Sequence, residues 1–125
     1  DFMLKSHVSS KIINQDVLEY DFSVFEYPFR VIGNLPYNIS TEIIFKICKV
    51  KNIIDIHFML QKEVVDRIVS EPNTKVYGRL SVMTQAYFKA KKLFDISENE
   101  RRKSLRKNIG LIEAKRHLDV AFNSK

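Results

Sequence analysis

The sequence predicts an α/β fold built on an open sheet with parallel crossovers. Three observations carry this. Strand-like runs alternate with helix-like runs along the chain. The run Ile54–Leu60 is β-branched and mostly apolar, the pattern of a strand buried on both faces. Two strand candidates end in polar punctuation, at Asp16 and at Gly33-Asn34. In open α/β sheets, ligands bind beyond the carboxyl ends of the strands, so chemistry is expected at those two places.

Taken in order, Lys11–Gln15 reads as a short strand that ends at Asp16, and Phe29–Ile32 as a second strand closed by Gly33. Ser40 is placed to cap a helix over Thr41–Lys49, with Glu42 in its first turn. Ile43, Ile44, Ile47 and Cys48 fall on one face of that helix. After the strand Ile54–Leu60, Gln61–Val69 reads as a helix with Val64, Val65, Ile68 and Val69 inward, broken at Glu71-Pro72-Asn73. Arg79–Phe88 reads as a helix with Leu80, Met83, Ala86 and Tyr87 on one stripe. Lys89–Ile96 follows as a strand, and Glu98–Lys107 and Glu113–Ala121 as helices. The expected division is residues 1–96 as one domain portion and 97–125 as a basic helical segment.

The chain has 125 residues, and no apolar run approaches the roughly 18 needed to span a bilayer. The single cysteine, Cys48, makes no internal disulfide and no cysteine zinc cluster, and the histidines at 7, 57 and 117 are scattered. No metal is expected, and a reducing cytoplasmic setting is. The net charge of +6 is unevenly placed. Residues 1–88 hold ten basic and ten acidic side chains, so the whole excess lies in the last 37 residues. Arg101, Arg102, Lys103, Arg106 and Lys107 fall within seven consecutive positions there. Such a run reads either as a solvated helix face or as a contact for a polyanion, where each neutralised phosphate releases counterions.

The segment from Val31 to Ser40 carries the most chemistry. A strand runs straight into Gly33, Asn34, Leu35, Pro36 and Tyr37. Pro36 stiffens the turn and holds Leu35 extended. The side-chain oxygen of Asn34 and the carbonyl of Leu35 are two acceptors suited to the two hydrogens of an exocyclic base amine, and Tyr37 offers a face for stacking. Alone, these four residues read sooner as a plain strand-to-helix turn with a conformational proline, because Asn and Pro are common turn residues.

The surroundings decide between the two. Asn-Leu-Pro-Tyr-Asn-Ile-Ser-Thr (34–41) is followed by Phe-Met-Leu-Gln-Lys-Glu-Val-Val-Asp-Arg (58–67) and Tyr-Gly-Arg-Leu-Ser-Val-Met (77–83). This ordered set closely resembles the ribosomal RNA adenine dimethyltransferases of the KsgA/RsmA type, and is nearer to them than to their Erm-type relatives. Gln-Asp-Val-Leu (15–18) resembles the family's motif after its third strand. Glu-Arg-Arg-Lys-Ser-Leu-Arg-Lys-Asn (100–108) resembles the basic helix of its C-terminal domain.

The resemblance implies a Rossmann-like class I S-adenosylmethionine-dependent methyltransferase sheet, incomplete here, with a remnant of a small helical C-terminal domain. It implies N6,N6-dimethylation of adenines near the 3′ end of small-subunit ribosomal RNA during ribosome assembly, by a monomer acting on the assembling 30S subunit. Asp16, the Val17 backbone and Asn34 would meet the cofactor. Asn34, Leu35, Pro36 and Tyr37 would hold the target adenine. Gln61 and Glu63 would support the site wall. Arg101, Arg102, Lys103, Arg106 and Lys107 would bind RNA. Tyr77-Gly78-Arg79 reads as a helix entry and packing element, with an RNA contact by Arg79 the lesser reading.

The sequence also departs from the family. Its three glycines, at 33, 78 and 110, form no glycine-rich first loop. The proline-rich lid segment and the family's final sheet strand find no counterpart after Ile96. These gaps predict that the residues are ordered pieces of a longer protein, with the junction near Ile96–Glu98 artificial. A noncatalytic RNA-binding assembly factor is the alternative, separated from the enzyme by cofactor binding. An N6-adenine DNA methyltransferase is disfavoured by Leu35, where those enzymes generally carry proline.

Overall fold

The computed structural model describes residues 10–96 and 109–117. Four strands form one sheet: β1 (Phe29–Asn34), β2 (Ile53–Gln61), β3 (Phe88–Ile96) and β4 (Ile109–Arg116). Their order across the sheet is β1-β2-β4-β3. β1 and β2 are parallel and joined by helix α1 (Ser40–Cys48). Helices α2 (Lys62–Val69) and α3 (Arg79–Tyr87) connect β2 to β3. β4 runs antiparallel to both of its neighbours, β2 and β3. The sheet is therefore mixed, with β4 the reversed strand.

The core lies between the helices and one sheet face. β2 supplies Ile56, Phe58 and Leu60, all but sealed from solvent. Across the ladder, Ile56 meets Ala114 and Phe58 meets Ile112. Ile43, Ile44 and Ile47 of α1, Val65 and Ile68 of α2, and Leu80 of α3 pack into the same cluster. Gly110 is where α2 comes closest to β4. A Cβ there would stand 3.1 Å from the Val65 side chain and 3.0 Å from Asp95 Oδ1, too close without movement.

The opposite face carries a row of charges across the strands. Arg30 on β1 pairs with Asp55 on β2 at 2.9 Å. His57 Nε2 lies 2.9 Å from Glu113 of β4, and Lys91 of β3 lies 4.0 Å from the same carboxylate. The His57 hydrogen bond, helped by Lys115 and Lys91, holds the Glu113 carboxyl below its ordinary range.

Several sequence expectations are corrected. Lys11–Gln15 forms no strand. A strand needs a ladder partner, and no described residue pairs with this segment. Ser40 is the first helical residue of α1, not its cap; Ile39 holds the cap position, and Ser40 Oγ reaches the Tyr37 carbonyl at 3.5 Å. On α3 the buried positions are Leu80, Ser81 and Thr84, while Ala86 is exposed. That helix is turned toward the end of α2 and donates to the carbonyls there. Ser81 Oγ donates to the Arg67 carbonyl, and Gln85 Nε2 donates to the carbonyls of Ile68 and Ser70, both at 2.8 Å.

The largest correction concerns residues 109–116. The expected final helix, Glu113–Ala121, begins inside β4, and the final sheet strand read as missing is this one. The separate basic helical segment assigned to 97–125 therefore does not hold for 109–116. Glu113-Ala-Lys-Arg has good intrinsic helix propensity, but Gly110, Ile112 and Ala114 alternate into the core with period two. The slot between β2 and β3 outweighs the propensity. The remaining expected helix, Glu98–Lys107, lies outside the described residues.

Arg116, at the end of β4, closes the far end of the core. Its Nε donates to the Ile53 carbonyl at 2.6 Å and its Nη1 to Cys48 at 3.3 Å. Nη2 donates to Val50 at 2.8 Å and Ile47 at 3.5 Å. The guanidinium lies 4.5 Å from the Phe88 ring centroid. Hydrogen bonds from charged groups contribute about 1.5–3 kcal/mol each. Arg116→Leu is expected to lower stability by about 3 kcal/mol in urea unfolding, because the Cys48 and Ile53 carbonyls lose their charged donor while those of Ile47 and Val50 keep only a backbone one. Arg116→Lys should recover only part, since an ammonium lacks the planar fork.

Cys48 is buried beside this cluster, and burial pushes its thiol up to about 11 despite Arg116 and Lys49 nearby. The native thiol should resist iodoacetamide at pH 8 and react readily once unfolded in urea. Because the raised value belongs to the folded state, the unfolded chain ionises first. Stability should fall as pH rises from about 9 toward about 11.

Candidate active site

β1 delivers its last residue, Asn34, to the sheet edge opposite Met59 of β2. The chain leaves the ladder by one more bond, from Leu35 N–H to the Met59 carbonyl at 3.2 Å. It then turns through Pro36 and Tyr37, with Ile39 N–H donating to the Pro36 carbonyl at 3.4 Å, and enters α1. Gly33 lies against Phe58, and a Cβ there would meet the Leu35 side chain at 3.3 Å, so Leu35 folds back over β1. Asn34 and Pro36 are exposed, and Tyr37 has 64% of its surface open. Among the described residues, neither the Asn34 side-chain amide nor the Leu35 carbonyl has a hydrogen-bond partner. The structure thus brings Asn34, Leu35, Pro36 and Tyr37 together at the carboxyl end of a parallel strand, with two acceptors and a ring facing outward from the sheet edge.

Asp16 and Val17 belong to a second turn. Asp16 Oδ1 accepts from Leu18 N–H at 3.0 Å, and its carbonyl accepts from Glu19 N–H at 2.9 Å. The turn is held from a distance by Lys46 of α1, whose Nζ donates to the carbonyls of Leu18 at 2.6 Å and Val17 at 3.2 Å. Lys46 also lies 5.6 Å from the Phe22 ring centroid. Among the described residues, no hydrogen bond or ion pair joins Asp16 or Val17 to Asn34, Leu35 or Pro36. Helix α1 links them, its first turn following Tyr37 and its last turn carrying Lys46, about 9 Å apart along the axis at 1.5 Å per residue. Lys46 is a positioning residue that sequence reading missed, and no local pattern marks it.

Gln61 ends β2 and precedes α2, while Glu63 is exposed in the first turn of that helix. Both stand at the same sheet edge as Asn34. So do Ile96 and Ile109, which pair with each other, with Ile109 also opposite Gln61. The expected RNA-binding run, Arg101, Arg102, Lys103, Arg106 and Lys107, lies outside the described residues. The two strand ends that enclose it are nevertheless at the edge occupied by Asn34–Tyr37. The span from β1 to β3 is three strand spacings, about 14 Å.

Helices pack beside a sheet with one reversed strand, and a polar turn follows the edge strand. A similar fold occurs in a dimethyladenosine transferase from Plasmodium falciparum, with TM-score 0.77 and 20% identity over 96% of this chain and 42% of that one. It occurs also in the 23S rRNA methyltransferase ErmE, with TM-score 0.71 and 21% identity over 93% of this chain and 46% of that one. The fold is that of the class I S-adenosylmethionine-dependent methyltransferases.

Sequence narrows the class. The family model for ribosomal RNA adenine dimethylase matches residues 2–122. The ribosomal RNA small subunit methyltransferase A of Acinetobacter baylyi is 56% identical over 92 residues, covering 68% of this chain and 32% of that protein. The protein of the same name from Blochmanniella floridana is 52% identical over 91 residues, covering 69% and 34%. This chain belongs to the ribosomal RNA adenine dimethylase family. It spans about a third of the length of the curated relatives it matches.

Lys46→Met keeps the aliphatic stem and removes both bonds to the Asp16–Glu19 turn. Amide hydrogen exchange at Leu18 and Glu19 is expected to accelerate about ten- to hundredfold, as for the loss of charged hydrogen bonds. Unchanged exchange would show that the turn holds itself.

Proposed function

We propose that this chain carries the target-base portion of an enzyme that dimethylates N6 of adenines near the 3′ end of small-subunit ribosomal RNA. The observation that carries the reading is the Asn34–Tyr37 turn, with two hydrogen-bond acceptors free of described partners beside an exposed aromatic ring. The names of its relatives support the same substrate class. The reading includes a monomer in the cytoplasm acting on the assembling 30S subunit. Among the described residues, no helix is long and apolar enough to cross a membrane.

The Asp16 turn fits one end of S-adenosylmethionine. Its exposed carboxylate is an acceptor for the purine amine, beside the Val17 backbone. Gly33 lies in β1, Gly78 precedes α3 and Gly110 lies in β4, so none forms a glycine-rich cradle for the amino-acid end. When bound, the cofactor supplies an activated sulfonium methyl. This chain's residues prepare the acceptor. An adenine amine is a weak nucleophile because its lone pair is delocalised into the ring. The Asn34 amide oxygen and the Leu35 carbonyl would accept its two hydrogens, fix its orientation and stabilise the positive charge that grows on N6. Pro36 keeps the carbonyl in place. Tyr37 would stack on the base, offsetting the few kcal/mol needed to unstack it from RNA. The basic residues 101–107 would hold the RNA backbone.

The test is methyl transfer from labelled S-adenosylmethionine to small-subunit ribosomal RNA, with dimethyladenosine as the product scored. RNA binding without cofactor binding would replace the enzyme with a noncatalytic assembly factor. Asn34→Ala should abolish transfer while leaving RNA affinity within a few fold. Tyr37→Ala should weaken productive binding by about 1–3 kcal/mol, and Tyr37→Phe should retain most of it. Equal losses in the two Tyr37 variants would refute stacking.

A further inference from the structure

A groove of about 480 Å³ opens between the first turn of α1, the end of α2 and the segment entering α3. Arg67, Lys75 and Arg79 line it together with Thr41, Phe45 and Tyr77. Among the described residues that line it, the three charged side chains are all cations and none is a carboxylate. None of the three pairs with a carboxylate among the described residues. Like charges gathered without counter-charges repel, so an anion in the groove is favoured.

One cation is held by a ring and the other two are carried on braced backbone. Arg79 lies with its guanidinium 4.6 Å from the Phe45 ring centroid, which fixes its plane and leaves its N–H edge available. The loop carrying Lys75 turns at Asn73, whose φ is 72°. It is braced by Thr74 Oγ1 donating to the Glu71 carbonyl at 2.8 Å and Tyr77 N–H donating to the Thr74 carbonyl at 3.2 Å. Gly78 N–H donates to Ser81 Oγ at 3.1 Å, and Ser81 in turn bonds the Arg67 carbonyl. One hydroxyl thereby ties the start of α3 to the residue that carries the Arg67 cation. Thr41 places the groove in the first turn of α1, directly after the Asn34–Tyr37 turn.

We propose that this groove is a phosphate-binding track for single-stranded RNA, taking the backbone beside the base presented at Tyr37, with Arg67, Lys75 and Arg79 on its phosphates. The proposal rests on the RNA-methylation reading above and deepens it. It assigns contacts to described residues distinct from the basic run at 101–107.

The test is fluorescence anisotropy of the complete chain with a short fluorescein-labelled single-stranded RNA, titrated at increasing potassium chloride. Each phosphate contact contributes about 0.7 to the slope of log affinity against log salt. The double variant Arg67→Gln/Lys75→Gln should flatten the slope by about 1.4, and Lys75→Gln alone, on an exposed loop, by about 0.7. The control Lys49→Gln/Lys89→Gln removes the same charge from exposed positions after α1 and at the start of β3, and should leave the slope unchanged. If wild-type chain binds RNA and the groove variants keep its slope, the groove proposal fails and the methylation reading stands. Equal flattening by the control pair also overturns it, in favour of net charge alone. If wild-type chain binds no RNA at any salt, the RNA reading fails and the groove with it.

Discussion

The guanidinium of Arg116 is the interaction on which the packing of this chain turns. It sits at the last residue of β4 and bonds carbonyls from the end of α1, the loop after it and the first residue of β2. A helix end leaves carbonyls without intrahelical partners, and burying them unpaired is costly. Arg116 satisfies that of Cys48, and joins Val50 N–H on that of Ile47, while lying against Phe88, the first residue of β3. Burial pushes its proton affinity down, yet the group stays charged because its ordinary value is so high. β4 therefore does more than fill a gap between β2 and β3. It brings the cation that fastens α1 to the sheet.

That fastening bears directly on function. α1 is the helix launched by the Asn34–Tyr37 turn, and its Lys46 grips the Asp16 turn. One helix thus connects the proposed base site, the proposed cofactor-contacting turn and the wall of the basic groove. The other side chains that matter are arranged the same way, by helix ends needing partners. Ser81 and Gln85 of α3 satisfy the end of α2 and so set the geometry of the groove between them. Structural hydrogen bonding and the placement of functional groups are the same set of contacts here.

The shape of the candidate site, a turn that follows β1, was largely legible in the sequence because its logic is local. A strand followed by Gly33, Asn34, Leu35, Pro36 and Tyr37 has little choice but to turn at a sheet edge with its acceptors outward. The order of the motifs at 34–41, 58–67 and 77–83 pointed to the family that the comparisons show. The placement of Lys46 on the Asp16 turn, and of Arg67 and Lys75 in one groove, was not legible. Each looks like an ordinary surface cation, and only the folded chain shows what each faces.

Residues 109–116 separate what sequence determined from what it did not. Sequence by itself determined the alternation of strands and helices through 29–96, the buried central strand β2 and the turn at Asn34–Tyr37. Those follow from apolar periodicity, proline and glycine, which act over a few residues. Only the tertiary structure decided that Glu113-Ala-Lys-Arg is strand rather than helix, and that Lys11–Gln15 is not strand. β-structure exists only with a partner alongside, and the partner's position is a property of the whole sheet. Where β2 and β3 left a slot lined by Ile56, Phe58 and Ala90, the small and apolar alternation of Gly110, Ile112 and Ala114 filled it.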